Sequence, residues 1–419
     1  MRPNQFGRIV FCFPYRMNSG GMPDDSKKFI AAVSKSYSGK VVLLSKGIPK
    51  DLEGYLANIE NVDLNDRKKV TFFLRSLTNN DVVTFFTFSS ITNILLAARI
   101  ARRGCKYTVI PAWQVDDYLD WDQPFLRNVV PTIESVVKNP RVFETTAKNG
   151  VTEGEVKLRS YFRALKRKIY RKTLGKLFLK KASGIHVFSD FERKQICCLI
   201  SQNGLRFASI EFGTDISERQ VGDDQFPITS FSNIVFWGRV DYYYKGLDCI
   251  IDAVALAQIK GIITPFNLWI CGPDYNQGYR KVNEHVKRRN LSELVHILTP
   301  EDYTSGTINI LKKADFCILA SRWDGYSRTL RESVSLGVPI ITNNKTHFDR
   351  IVKKFSSGVI FNSEAELAEI LVDVNSAAIS IVKEKAQQNR RDVAHFLNWD
   401  QCGQRFVNSL HELIKLPIE

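Results

Sequence analysis

Two carboxylates separated by seven residues, Asp324 and Glu332, lie in the stretch Ser321-Arg322-Trp323-Asp324-Gly325-Tyr326-Ser327-Arg328-Thr329-Leu330-Arg331-Glu332. The apolar run before it, Phe316 to Ala320, reads as a buried strand, and Gly325 opens what reads as a helix. One acid then sits in a loop and the other about two turns along. A helix start at the carboxyl end of a parallel strand offers free backbone N–H groups to an anion, phosphate above all. Earlier in the chain, Arg239 and Lys245 flank another strand end, on a loop bounded by Gly238 and Gly246. A guanidinium fork grips two oxygens and an ammonium adds a mobile point charge, so the pair suits a diphosphate. The same charges would stabilise a phosphate as it leaves. Any surface turn can hold two basic residues; the acids further on are what give this pair its meaning.

The elements that would position these groups alternate. Arg8 to Pro14 reads as a buried strand, Gly20 and Gly21 as part of a glycine loop, and Ser26 to Tyr37 as a helix. Further strand and helix patterns continue to Tyr107–Ile110, and this order predicts a parallel sheet covered on both faces. A second series begins at Asn233 and includes a helix over Leu247 to Lys260, a strand over Phe266 to Cys271 and another over Val295 to Leu298. The expected fold class is α/β, with two doubly wound Rossmann-like domains facing across a cleft. Residues 1–215 form the first domain, 216–232 a polar linker, 233–395 the second domain, and 396–419 a terminal helix.

The chain has 419 residues and a net charge of +15, which calls for a partner class such as phosphorylated ligands, an anionic membrane or nucleic acid. Residues 157–181 hold eleven Lys or Arg and no acid. Leu158, Tyr161, Phe162, Leu165, Ile169, Leu177 and Phe178 fall near one helical face of that segment, giving a basic amphipathic helix suited to an anionic membrane surface. A solvated helix face is the plainer account. No nucleic-acid-binding motif accompanies the charge, so nucleic acid is not the expected partner. The eight cysteines have no zinc-type spacing, no run is long enough to span a bilayer, and a cytoplasmic location is expected. His186 lies inside a strand pattern and reads as a satisfied core or rim residue.

Gly238-Arg239-Val240…Lys245-Gly246, then Asp324…Glu332 followed by Gly337-Val338-Pro339-Ile340, resembles the retaining nucleotide-sugar glycosyltransferases of family four, which have the GT-B fold. The resemblance extends to Gly272-Pro273, Phe212-Gly213-Thr214-Asp215, the Gly20-Gly21 loop and the terminal helix with Trp399, and is strongest after Ile234. It implies that Arg239 and Lys245 hold the donor diphosphate, that Glu332 accepts hydrogen bonds from the ribose, and that Asp324 lies against the transferred sugar. Backbone N–H groups of Gly325, Tyr326, Ser327 and Arg328 would face sugar or phosphate, Leu298 and Thr299 would lie near the base, and the terminal helix would return to the first domain. The implied reaction moves a sugar from a UDP- or GDP-sugar to a hydroxyl of a glycan or lipid-linked acceptor with retention, the leaving phosphate taking the acceptor proton. No metal and no other cofactor is implied.

Two departures stand out. The first acid is aspartate where glutamate is commoner, and the first domain has no histidine in Val109 to Asp116, where Gln114 or Asp116 would have to replace it. The rival readings are a non-transferase GT-B protein, such as a sugar-nucleotide epimerase, and an inactive relative that binds membrane or nucleic acid.

Overall fold

The computed structural model describes residues 6–14, 21–47, 59–87, 90–111, 171–200, 204–216, 232–275, 277–299, 311–312, 314–322, 324 and 326–415. Gly20, Gln114, Asp116, the basic residues 157–170, linker residues 217–231 and Gly325 lie outside them. The chain divides into two units. The first comprises residues 1–187, 192–210 and 403–419, and the second residues 188–191 and 211–402.

In the first unit the strands are β1 (Arg8–Phe13), β2 (Lys40–Ser45), β3 (Glu60–Asp63), β4 (Val82–Phe86), β5 (Lys106–Ile110), β6 (Gly184–Val187) and β7 (Phe207–Ser209). They pair in parallel in the order β3-β2-β1-β4-β5-β6-β7. Central strands such as RIVFCF and VVTFF are apolar along their length because helices cover both faces of the sheet. Helices Arg67–Ser76 and Ile91–Ala101 share one buried cluster, in which Phe73, Leu74, Leu96 and Ile100 meet Val10, Val83 and Val109.

The basic segment enters the described residues as a π-helical turn, Arg171–Gly175, followed by helix Lys176–Lys180. Phe178 is buried as expected, stacked on Tyr107 with ring centroids 5.2 Å apart. Leu177, assigned from the sequence to the same apolar face, is instead 48% exposed, and Leu179 takes the buried position. The wider π turn shifts the helical phase that a 3.6-residue reading assumes.

From Gly403 onward, helix Trp399–Lys415 belongs to the first unit. Phe406 packs on Phe11, Phe29 and His186, with centroids 5.6, 5.1 and 4.7 Å away. His186 is a core residue, but not a satisfied one. It is fully buried, neither ring nitrogen has a hydrogen-bond partner among the described residues, and burial pushes its pKa down to about 3.

The second unit has strands β8 (Ser232–Trp237), β9 (Phe266–Cys271), β10 (Val295–Leu298), β11 (Phe316–Leu319), β12 (Ile340–Asn343) and β13 (Gly358–Phe361). All pair in parallel, in the order β10-β9-β8-β11-β12-β13. The chain winds outward from β8 to β10, then restarts beside β8 with β11 and winds the other way. The reversal opens a crevice at the carboxyl ends of β8 and β11, which is where doubly wound sheets bind their ligands. No helix among the described residues is long and apolar enough to cross a membrane.

Candidate active site

Two loops meet at that crevice, one after β8 and one after β11. In the first, Gly246 has φ of 67° and caps helix Leu247–Lys260; a Cβ there would collide with the Ala320 carbonyl at the end of β11. The loops therefore touch backbone to backbone. Arg322 braces them: its backbone N–H donates to the Tyr244 carbonyl at 3.0 Å. Its guanidinium donates to the Tyr243 carbonyl at 2.6 Å and to both Asp248 oxygens at 2.6 and 2.9 Å. The plane of this bidentate fork also lies over the Tyr243 ring, 4.1 Å from its centroid. From the other side, Asn343 at the end of β12 donates to the Ser321 carbonyl at 3.1 Å. Tyr242 anchors the first loop through His285 Nδ1 at 2.9 Å, and His285 Nε2 lies 3.0 Å from Asp252.

Lys245 and Asp324 meet inside this frame. The ammonium donates to Asp324 Oδ2 at 2.8 Å, and the Ser321 hydroxyl donates to the same oxygen at 3.2 Å. Their side chains are only 16% and 13% exposed. Burial by itself would raise the Asp324 carboxyl, but Lys245, helped by Ser321 and the charge of His347, outweighs it and holds the group below the usual carboxylate range. Asp324 is therefore a fixed anion at neutral pH. Arg239 stands nearby and is more open, at 43% exposed, with its guanidinium 4.3 Å from the Tyr275 ring centroid and 3.8 Å from Asp241. A flexible, partly solvated guanidinium resting on an aromatic face is free to swing onto an anion.

Helix Arg328–Ser335 starts at Arg328, three residues after the glycine that the sequence suggested as its opening. Ser327 is its N-cap and accepts from the Leu330 N–H. Thr329 donates to the Trp237 carbonyl at 3.0 Å, fixing the helix start against the end of β8. Glu332 is half-buried in the second turn. Burial pushes the Cys317 thiol of β11 up to about 12. Gly238, Arg239, Lys245, Asp324, Tyr326, Ser327, Arg328 and Glu332 all lie on the loops and helix at the β8 and β11 ends. Leu298 ends β10, an edge strand separated from β8 by β9, and Thr299 follows it. Gly21 is the first residue of helix Gly21–Ser36 in the other unit.

Sequence reasoning missed several side chains that hold the site, although it named the Tyr326 amide. Tyr326 has φ of 150°, strained for a non-glycine residue, and its ring is buried between Phe188 and Phe348 at 4.9 and 5.0 Å. Burial raises its hydroxyl well above the ordinary value. Arg331 is 1% exposed and donates to the Gly213 and Ser327 carbonyls, its guanidinium near the Tyr326 and Trp399 rings. Arg331→Met keeps most of the volume but strands the Gly213 carbonyl, while the Ser327 carbonyl keeps the backbone N–H of Arg331. It is expected to destabilise the second unit by about 2–3 kcal/mol, seen as a lower urea midpoint; an unchanged midpoint would mean that the guanidinium is dispensable. His347, with φ of 60°, pairs through Nδ1 with the Ser189 hydroxyl at 2.7 Å. Nothing in local periodicity marks these residues, because each acts on a partner distant in the chain. Among the described residues no cluster of three His, Cys, Asp or Glu side chains is arranged to hold a metal ion.

Residues 225–388 match the family model of glycosyl transferases group 1. Comparison with curated proteins finds no match. Solved structures agree along almost the whole chain. HepE of Anabaena, solved in complex with UDP, matches at 12% identity and TM-score 0.60, over 97% of this chain and 100% of that one. The lipopolysaccharide outer core galactosyltransferase WaaB matches at 13% and 0.62, over 98% and 100%. WaaG, a glycosyltransferase involved in lipopolysaccharide biosynthesis, matches at 14% and 0.55, also over 98% and 100%. At such identities the structures speak for the fold, and the family model for the unit that carries the paired loops. The chain has the GT-B fold, and its residues 225–388 are similar to the group 1 glycosyl transferases.

Proposed function

We propose that this protein transfers a sugar from a nucleoside diphosphate sugar, carried by uridine or guanosine, to a hydroxyl of a glycan or lipid-linked acceptor with retention of configuration. The observation that carries the reading is the Lys245–Asp324 pair at the β8–β11 crevice, beside the more open Arg239. An ammonium has three donors, so one can stay on Asp324 while the others reach a diphosphate. Asp324 keeps the lysine aimed, and its carboxylate faces the transferred sugar. Arg239 closes on the diphosphate from the loop, and Glu332 takes the ribose hydroxyls. The N–H groups at the start of helix Arg328–Ser335 add positive potential where the leaving phosphate gains charge. The positive charge these groups supply makes a metal-independent reaction the simplest course.

The UDP in HepE supports a uridine carrier, and the fold shared with WaaB and WaaG supports a role in cell-surface glycan assembly. A cytoplasmic location, with segment 157–181 resting on the inner face of the membrane, completes the proposal. The test is a panel of UDP- and GDP-sugars, read by thermal stabilisation and by release of nucleotide, with the anomeric configuration of the product followed by NMR. Glu332→Ala is expected to weaken nucleotide binding about tenfold to a hundredfold through loss of hydrogen bonds to a charged acceptor. If no nucleotide stabilises the protein, the donor reading is wrong; an inverted product would remove retention alone.

A further inference from the structure

Resting on the donor reading above, we infer that Tyr275 is a positioning residue for Arg239. Its ring holds the guanidinium off the neighbouring Asp241 carboxylate and so keeps that cation available to a diphosphate. Tyr275 belongs to the turn after β9, outside the motif that contains Arg239 and Lys245.

The turn fixes Tyr275 from both sides. Past the ends of β8 and β9 the two chains stay paired. Gly238 donates its N–H to the Cys271 carbonyl at 3.0 Å, Val240 to Pro273 at 2.9 Å, and Tyr275 to Val240 at 3.3 Å. Val240 and Asp274 form a parallel bridge, and the chains run so close that a Cβ on Gly272 would collide with the Gly238 carbonyl. The Tyr275 carbonyl accepts from the Gly278 N–H at 3.0 Å, where helix Gly278–Arg288 begins, and the Asp274 carboxylate accepts from the Tyr279 N–H at 3.0 Å. Both backbone polar groups of Tyr275 are held, yet its side chain is 40% exposed. A pinned backbone that presents an open ring is fitted for a contact rather than for packing.

That contact is Arg239. Its guanidinium lies 4.3 Å from the Tyr275 ring centroid and 5.6 Å from that of Tyr244, within cation–π range of both. Asp241 Oδ2 is 3.8 Å away, well beyond the length of a charge-assisted hydrogen bond, about 2.7–2.9 Å. Asp241 Oδ1 accepts the Tyr244 N–H at 3.2 Å, so the carboxylate is anchored and Oδ2 is the oxygen turned to the arginine. Without the ring the guanidinium would close on that oxygen, and a diphosphate would have to break the ion pair. An aromatic ring holds a guanidinium by its face and leaves the N–H groups at its edge for an anion. A side chain already held near its place also loses less freedom on binding.

The test is calorimetric titration with UDP and with inorganic pyrophosphate. Tyr275→Leu keeps an apolar side chain without the ring and should weaken both ligands about fivefold to tenfold. Tyr275→Phe keeps the face and should bind within about twofold of the parent. Adding Asp241→Asn to Tyr275→Leu should restore binding, because the competing charge is gone while an amide oxygen remains for the Tyr244 N–H. The inference is overturned if Tyr275→Leu binds both ligands like the parent, if Tyr275→Phe fails as Tyr275→Leu does, or if Asp241→Asn brings no rescue. Loss with UDP alone, pyrophosphate binding as before, would also overturn it, since the ring would then serve the base. A parent that binds neither ligand sinks the donor reading and this inference together; a parent that binds both beside an unaffected Tyr275→Leu sinks this inference only.

Discussion

Lys245→Ala is expected to lower the rate of sugar transfer by about 10²- to 10³-fold, the usual effect of removing one charged group from a developing phosphate or oxyanion. The structure adds a second consequence. Asp324, only 13% exposed, would lose the cation that holds its carboxyl low. A carboxyl depressed in the folded state contributes stability above its unfolded pKa and loses it as pH falls through the folded value. Without Lys245 burial dominates and the carboxyl moves up, so the variant should be weaker at neutral pH and regain part of that loss as the pH falls and the carboxyl takes a proton, whereas the parent loses stability as the pH falls. Urea midpoints measured from pH 7 downward, alongside nucleotide release, separate the two effects. Adding Asp324→Asn should recover stability, because the unpaired charge is gone, but not transfer. Recovery of transfer in that double variant would show that Lys245 serves only to neutralise its neighbour.

Gly246→Ala should do nearly as much damage through shape alone. The position combines a left-handed φ of 67° with a close approach to the Ala320 carbonyl, so a methyl group brings backbone strain and a collision together. A cost of about 2–4 kcal/mol is expected from the two combined. Lys245 is the adjacent residue, and Asp324 follows Ala320 by one short loop. Displacement of that contact by about 1 Å is enough to cost about 10²-fold in rate. Gly261, at the other end of the same helix, provides the control: its φ is 88°, but a Cβ there would have no neighbour within 4 Å. Gly261→Ala should cost roughly 1 kcal/mol in strain and leave transfer unchanged. If the two variants lose activity equally, the loop contact is not what aligns the pair.

The sequence was most readable where punctuation and pattern agree. Helix Leu247–Lys260 stands between Gly246 and Gly261, and its bounds coincide with those read from the sequence. Strands Phe266–Cys271 and Val295–Leu298 likewise coincide, because apolar and β-branched runs between turns leave little choice. Strand β3, with sequence ENVD, went unread because it is an edge strand whose single buried side chain is Val62. Strand β13, half-buried over Gly358 to Ile360, also lacked a clean period. At the site, residue types pointed to a diphosphate, but contacts across the chain were invisible. Lys245 and Asp324 are 79 residues apart, and Arg322 reaches 74 residues to Asp248. Only the fold brings such partners together, and Tyr326, expected to contribute an amide, also contributes a buried ring that a one-dimensional reading has no means to place.

The last described helix has a consequence for how the protein is made. Its residues from Gly403 onward complete the core of the unit that begins at the amino terminus, with Phe406 seated on Phe11 and Phe29. During synthesis the first sheet emerges early but must wait for nearly the whole chain before that apolar surface is covered. Until then it is exposed to other nascent chains and to chaperones. A ribosome that stops short of Phe406 leaves a first unit with an open core, so premature termination is felt at the beginning of the protein as much as at its end.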